Sequence, residues 1–379
     1  MRWFNLETEK LVYGIKKLGV EEFIGVPDST LKSFCDYIDS YEKNNVTVNE
    51  GAAVGLGIGT YLATGKPACI YLQNSGIGNL VNPLTSLASD EVYSIPMLFV
   101  IGWRGEPGIK DEPQHKFMGM ITEKMLQLLN IEYSILEKST TELEIIEMFY
   151  KSRRALLLNR QYAFVVKNGT LENKIKIKYE NDYKISREIA IKNIVESVSK
   201  EDIIVSTTGK ISRELYEQLN IVYGNHNQAF LTVGGMGHAS MIALGLSRCK
   251  TERRVICIDG DGSAFMHMGN MAFIANQNVK NLIHICLNNN AHESVGGIYT
   301  GCTNTYLSDV AKSCGYDCIY RIEKENEIKD VFVEINRKKK LVFLEINVSI
   351  DSREDLGRPK ESAISNKNSF MKYHGFEKD

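Results

Sequence analysis

Five apolar runs constrain the fold more than any other feature of this chain. IPMLFVIG (95–102), YAFVV (162–166), VICI (255–258), LIHICL (282–287) and LVFLEINV (341–348) are nearly unbroken stretches of strand-forming residues. They lack the in–out alternation of a strand with one wet face, so each requires cover on both faces. Helix-periodic segments lie between them. Strand alternating with helix throughout implies an α/β chain with parallel sheets packed between helices. Parallel strands bring their carboxyl ends to one edge, and ligands bind at that edge. The residues directly after each strand therefore carry most of the functional information.

The alternation occurs twice. The first series begins with a helix at 7–18 and the strand EFIGV (22–26), followed by a helix over 28–38 opening at Asp28 or Ser29. VTVNEG (46–51) reads as a short strand ending at Glu50, and 52–66 as an apolar helix rich in small residues. The strand at 67–76 and the run at 95–102 follow. A long polar loop, WRGEPGIKDEPQHKF (103–117), comes next, and the series closes with YAFVV. Residues 168–184 are polar, lysine-rich and aperiodic, and read as a linker. A second series starts at 186 and ends with LVFLEINV. The expectation is two doubly wound parallel-sheet domains, 1–167 and 185–350, joined by 168–184 and followed by a charged, weakly patterned tail, 351–379.

A formal net charge of −2 implies no bulk attraction to nucleic acid or to an anionic membrane. The N-terminal ten residues are charged and lack an apolar signal core, and no apolar run reaches membrane-span length. The eight cysteines are scattered; Cys314-x3-Cys318 has no second pair to complete a zinc site, and Cys257 and Cys286 sit in apolar strands as core residues. A reduced, cytoplasmic protein is expected.

Two strand ends carry the chemistry. VICI stops at Asp259-Gly260-Asp261-Gly262, and LIHICL ends in Asn288, Asn289 and Asn290, 27 to 29 residues after Asp261. An acid and an amide at one sheet edge are hard oxygen donors suited to Mg²⁺ or Ca²⁺, with diphosphate oxygens completing the shell. The helix after Gly262 would aim its N-terminus at that diphosphate. Gly260-Asp261-Gly262 alone reads equally as a turn; the asparagines at the next strand end give it weight. Gly234-Gly235-Met236-Gly237-His238 lies at another strand end, Met236 twenty-five residues before Asp261. It reads either as a glycine-rich turn or as bare backbone against a flat cofactor, with Met236 as an apolar wedge. A nicotinamide-dependent dehydrogenase would share the sheet but needs GxGxxG opening a helix, which is missing here. Gly55, Gly57 and Gly59 fall within a helix, where close packing explains them.

With these motifs the chain resembles the thiamine diphosphate-dependent 2-oxo acid decarboxylases, whose signature is GDG, a spacer and NN, preceded by a Gly-x-hydrophobic-Gly turn. NEGAAVGLGIGTYLATGKPACIYLQNSGIGN (49–79) is similar to that family's pyrimidine-binding domain, with Glu50 at the place of its glutamate. Larger members carry a middle domain. This chain has only its linker there, and so resembles the short two-domain branch of phosphonopyruvate and sulfopyruvate decarboxylases. GVPDSTLK (25–32), IGWRGEPGIKDEPQH (101–115), STTGK–SREL (206–215), GDGSAFMHMG (260–269) and NNNAHESVGG (288–297) carry the likeness to the phosphonate side of the branch. Asn290 departs from it, standing where glycine is usual, and asparagine tolerates the same backbone region.

The resemblance implies site roles. Asp261 and Asn289 would ligate Mg²⁺ with the Ala291 carbonyl, Asn288 replacing Asn289 if the register slips by one. Gly260, Gly262, Ser263, Thr208 and Gly209 would line the diphosphate of thiamine diphosphate. The Gly234 carbonyl would accept from the cofactor's 4′-amino group, Met236 would hold its bent shape, and Glu50 would bond pyrimidine N1′. Asp28 and His115 are candidates for positioning substrate and moving protons, against a plain helix cap and a solvated histidine. Ser29, Thr30, Arg104 and Lys110 would bind the phosphonate, against a solvated charged loop. The implied reaction converts 3-phosphonopyruvate to phosphonoacetaldehyde and CO₂, with sulfopyruvate as the nearest alternative. A regulatory subunit that had lost catalysis would not need both Glu50 and Asp261. The family's architecture further implies at least a C2 homodimer, in which Glu50 faces the partner subunit's Asp261.

Overall fold

The computed structural model describes residues 6–376. Two compact units are present: residues up to Lys178 with Val295–Gly301, and Tyr179–Ser294 with the chain from Cys302 onward. Each is built on a six-stranded parallel sheet. In the first unit the strands are β1 (Glu22–Gly25), β2 (Lys43–Val46), β3 (Ala68–Gln73), β4 (Met97–Trp103), β5 (Glu132–Leu136) and β6 (Tyr162–Lys167). In the second they are β7 (Ile203–Ser206), β8 (Ala229–Leu231), β9 (Val255–Gly260), β10 (Leu282–Asn288), β11 (Cys318–Ile322) and β12 (Val342–Asn347). The spatial orders are β2-β1-β3-β4-β6-β5 and β8-β7-β9-β10-β12-β11, so both units use the same winding. The winding direction reverses between the first and third strands of each sheet, which leaves a crevice at their carboxyl ends.

The apolar runs became central strands for the expected reason. Every residue of β4 and of β10 is buried. Burying an Ile, Leu or Phe side chain stabilises by roughly 1.5–3 kcal/mol, so these strands anchor their units. Strands β9 and β10 pair in register from Val255↔Leu282 to Gly260↔Leu287, which sets Asp261 and Asn288 side by side just past the paired residues.

Several elements differ from the sequence expectation. The strand expected at 46–51 is β2, Lys43–Val46, fixed by its pairing Glu22↔Lys43 with β1. Asn49 instead caps a helix, accepting from the Ala52 N–H at 2.8 Å, so Glu50 opens helix Glu50–Thr64 rather than closing a strand. The helix expected from 28 starts at Lys32, because the Asp28 side chain accepts from the Thr30 N–H at 2.9 Å and holds a turn there. His115 lies in the first turn of helix Pro113–Leu128 and not in a loop; Pro113 is pre-set for that first position. The stretch 168–184 divides after Lys178, and Leu171–Glu172 forms a short parallel pair with Leu6–Glu7. The tail contains helix Ala363–His374, capped by Ser362. Within it Asn366 accepts from Leu231 N–H and donates to Ala229 C=O, both at 3.0 Å, satisfying the free edge of β8. Among the described residues no helix is long and apolar enough to cross a membrane.

Candidate active site

The second unit has an open cleft at the carboxyl ends of β7, β9 and β10. Asp261 sits at its base as the first residue of the short helix Asp261–Met266. Its side chain is buried, and Oδ2 has no hydrogen-bond partner. Burial pushes its carboxyl up to about 7, against the N–H groups of Gly262, Asp261 and Asn289, which favour the charged form. An unpartnered buried carboxylate oxygen is costly unless a cation meets it. The site therefore fits a divalent metal.

Asn289 lines the cleft, with Oδ1 accepting from Ala291 N–H at 3.0 Å and Nδ2 donating to Glu293 at 2.9 Å. Asn288 is occupied elsewhere: Nδ2 donates to Glu345 at 2.8 Å, and Glu345 also accepts from Ser308 N–H at 2.9 Å. Asn290 takes φ 60°, the left-handed conformation that glycine or asparagine adopts at least cost. Ala291 is buried in the cleft wall.

The cleft's glycines are close-packed. A Cβ on Gly262 would come within 3.0 Å of the His292 ring and 3.3 Å of Met236 Cε. Gly209, at φ 95°, turns the chain into helix Lys210–Tyr223. That helix, longer than the one after Gly260, presents the stronger N-terminal dipole to an anion in the cleft. Thr208 accepts from Gly234 N–H at 2.9 Å, and Ser263 accepts from Gly237 N–H at 3.0 Å while bonding Thr207 at 2.9 Å. These bonds tie the glycine-rich turn after β8 to the loops after β7 and β9.

The first unit gathers two further groups. Glu50 is buried, and its Oε2 accepts from Asn79 Nδ2 at 2.6 Å. A Cβ on Gly76 would lie 2.2 Å from Glu50 Oε1, so the carboxylate rests on bare backbone. At the ends of β1 and β4, Asp28 is fully buried with Oδ1 unpartnered, and burial raises its carboxyl to about 6 although Arg104 pulls it down. A Cβ on Gly102 would sit 2.1 Å from Asp28 Oδ2, so only glycine fits there. Arg104 donates to Ser29 Oγ at 3.0 Å and grips Asp111 with two bonds, at 2.8 and 2.6 Å. Thr30 Oγ1 is buried and unpartnered beside them. His115 is half-buried, and burial, then the Arg104 charge, lowers its pKa. Asp28, Ser29, Thr30 and Arg104 are thus brought together; Lys110 is exposed.

Sequence reasoning passed over Asn79, Asp111, Arg187, Lys210 and Glu293. A cap at Ser186 and a proline at 113 mark helix starts, but no spacing rule marks these partners.

Comparison with known proteins defines the class. The model "Thiamine pyrophosphate enzyme, N-terminal TPP binding domain" matches residues 8–127, and "Thiamine pyrophosphate enzyme, C-terminal TPP binding domain" matches residues 207–346. The first span contains Asp28, Glu50 and Arg104; the second contains Thr208, Asp261 and Asn289. The chain belongs to the thiamine pyrophosphate enzyme family. Within that family it is similar, over nearly its whole length, to phosphonopyruvate decarboxylases. The enzyme of that name from Streptomyces viridochromogenes is 32% identical over 370 residues, 92% of this chain and 90% of the relative. That from Streptomyces hygroscopicus is 31% identical over 374 residues, 94% and 90% of the two chains. A sulfopyruvate decarboxylase from Methanosarcina acetivorans is 26% identical over 376 residues, 89% and 90% of the two chains.

Proposed function

We propose that the protein decarboxylates 3-phosphonopyruvate to phosphonoacetaldehyde and CO₂, using thiamine diphosphate and Mg²⁺. The observation that carries the reading is the buried, unpartnered Asp261 oxygen in a cleft walled by Asn289 and a helix N-terminus. Asp261 and Asn289, with the Ala291 carbonyl, hold the metal; Thr208, Gly209, Gly260, Gly262 and Ser263 receive the diphosphate. Gly234 and Met236 seat the aromatic part of the cofactor.

In the overall change the C1–C2 bond breaks, CO₂ leaves, and C2 keeps the electron pair and takes one proton, with no oxidant consumed. Bound thiamine diphosphate supplies the electron sink for that pair. Glu50 holds a proton at the pyrimidine N1′. Asp28, titrating at about 6, can donate and recover a proton near neutral pH, which suits an acid–base role at C2. Burial, then the Arg104 charge, lowers the pKa of half-buried His115, which favours the neutral ring as a hydrogen-bonding group that positions substrate. Arg104, with Ser29 and Thr30, takes the phosphonate, without the exposed Lys110; Asp111 fixes the guanidinium plane.

Replacing Arg104 with alanine should raise the KM for phosphonopyruvate about 10- to 100-fold, the worth of a charge-assisted hydrogen bond, and leave thiamine diphosphate affinity unchanged. Steady-state kinetics beside cofactor titration reads both; an unchanged KM would remove Arg104 from the site. A sulfonate would use the same donors, so sulfopyruvate is the substrate to run in parallel.

Metal binding should also depend on pH. The folded apoprotein raises Asp261 from 3.8 to about 7, so the stability it contributes as the neutral acid is full below about pH 4 and lost as pH rises through about 7. A divalent cation needs the charged form. Its affinity should therefore fall about tenfold per pH unit below 7, with one proton released on binding. Calorimetric titration in buffers of different ionisation enthalpy measures that proton, and a pH-independent affinity would contradict the assignment.

The reading includes a homo-oligomer of at least two chains, in which Glu50 serves the cofactor held by the partner subunit's Asp261. A cytoplasmic setting is part of the proposal and suits eight free cysteines.

A further inference from the structure

We infer that Glu293 is a positioning residue that turns the Asn289 amide so that its oxygen, and not its nitrogen, faces the metal. This rests on the reading of Asp261 and Asn289 as metal ligands. Glu293 is nearly buried and receives three donors: Arg187 Nη1, Lys210 Nζ at 3.0 Å and Asn289 Nδ2 at 2.9 Å. Arg187 is itself locked by Glu214 through two bonds, at 2.8 and 2.6 Å. Two cations and two anions thus compensate one another, Arg187 and Glu214 buried and Lys210 partly exposed, which fixes the Glu293 carboxylate in place.

The chemical consequence falls on Asn289. An asparagine side chain has an acceptor and a donor end of nearly equal size, and only the oxygen can ligate a cation. An ionised glutamate only accepts. With Glu293 held against it, the amide must present its NH₂ to Glu293, leaving Oδ1 on the side where Ala291 N–H meets it at 3.0 Å. Flipping the amide would set oxygen against carboxylate and NH₂ against the metal, two repulsions at once. Outer partners that fix a ligand's orientation in this way change metal affinity about 10- to 100-fold. Arg187 and Lys210 lie 106 and 83 residues before Glu293 in sequence, so only the fold reveals the arrangement.

The test is Mn²⁺ binding to full-length protein at saturating thiamine diphosphate, read as loss of the free-Mn²⁺ electron paramagnetic resonance signal. Glu293→Gln, whose amide can present either end, should weaken Mn²⁺ about 10- to 100-fold. Adding Asn289→Asp, a ligand with oxygen at both ends, should restore most of the affinity, because the Gln amide then donates to it. Because the added charge itself strengthens cation binding, the rescue is read against Asn289→Asp alone: a purely structural role for Glu293 predicts the same loss from Glu293→Gln, about 10- to 100-fold, in both backgrounds. If Glu293→Gln does not fold, Glu293→Asp keeps the charge but withdraws the acceptor from Asn289 by one methylene, and the same weakening is expected. Wild-type affinity in a folded Glu293 variant, or a double variant as weak as the single, overturns the inference. Wild-type protein that binds no Mn²⁺ would instead sink the metal-site reading on which it rests.

Discussion

Glu50→Gln should lower kcat about 10²- to 10⁴-fold, the range for removing a general acid–base group, while leaving thiamine diphosphate bound. Glutamine keeps the shape and can still accept from Asn79, so the hydrogen bond at 2.6 Å and the packing on Gly76 survive. It cannot exchange a proton with pyrimidine N1′. The expected pattern is a folded protein with near-normal cofactor affinity and collapsed turnover. Cofactor binding by calorimetry and CO₂ release by a coupled assay separate the two. Normal turnover in this variant would take Glu50 out of the chemistry.

Asp261→Asn should have the other large effect, of a different kind. A neutral amide replaces the one carboxylate whose oxygen is buried without a partner in the cleft. Mg²⁺-dependent binding of thiamine diphosphate should fall more than about 100-fold, beyond the effect of losing an outer partner. The apoprotein should be stabilised at pH 8, where wild-type Asp261 is charged in its buried site, and changed little at pH 4, below the range over which that carboxyl's contribution is lost. Melting temperatures at the two pH values, with and without Mg²⁺ and cofactor, give a four-way comparison. A variant that still gains stability from metal and cofactor would show that Asp261 is not the ligand.

The parts legible in sequence were those written locally. β4 and β10 are so apolar that burial on both faces follows from composition, and the acid and amide after β9 and β10 are strand-end residues whose proximity follows from parallel pairing. Which of Asn288 and Asn289 lines the cleft is not local: Glu345, 57 residues away, bonds Asn288, and Asn289 lines the cleft. The start of the helix at Glu50 was missed because VTV has strand propensity, yet the Asn49 cap and the β1–β2 register prevail. The tail helix was missed because its role, covering the β8 edge through Asn366, depends on a contact 135 residues distant. The Arg104–Asp111 clamp lay within seven residues, but a loop of mixed charges gives no spacing rule to find it.

On the proposed reading Arg104 and its neighbours select the substrate, and a substrate comparison tests it most directly. Purified protein with Mg²⁺ and thiamine diphosphate is given phosphonopyruvate, sulfopyruvate and pyruvate separately, and CO₂ and aldehyde are measured. The account predicts one CO₂ and one phosphonoacetaldehyde per phosphonopyruvate consumed, a kcat/KM for pyruvate lower by at least the tenfold or more that the anionic tail confers, and no turnover without the cofactor. Equal kcat/KM for pyruvate and phosphonopyruvate, or a clear preference for sulfopyruvate, would contradict it.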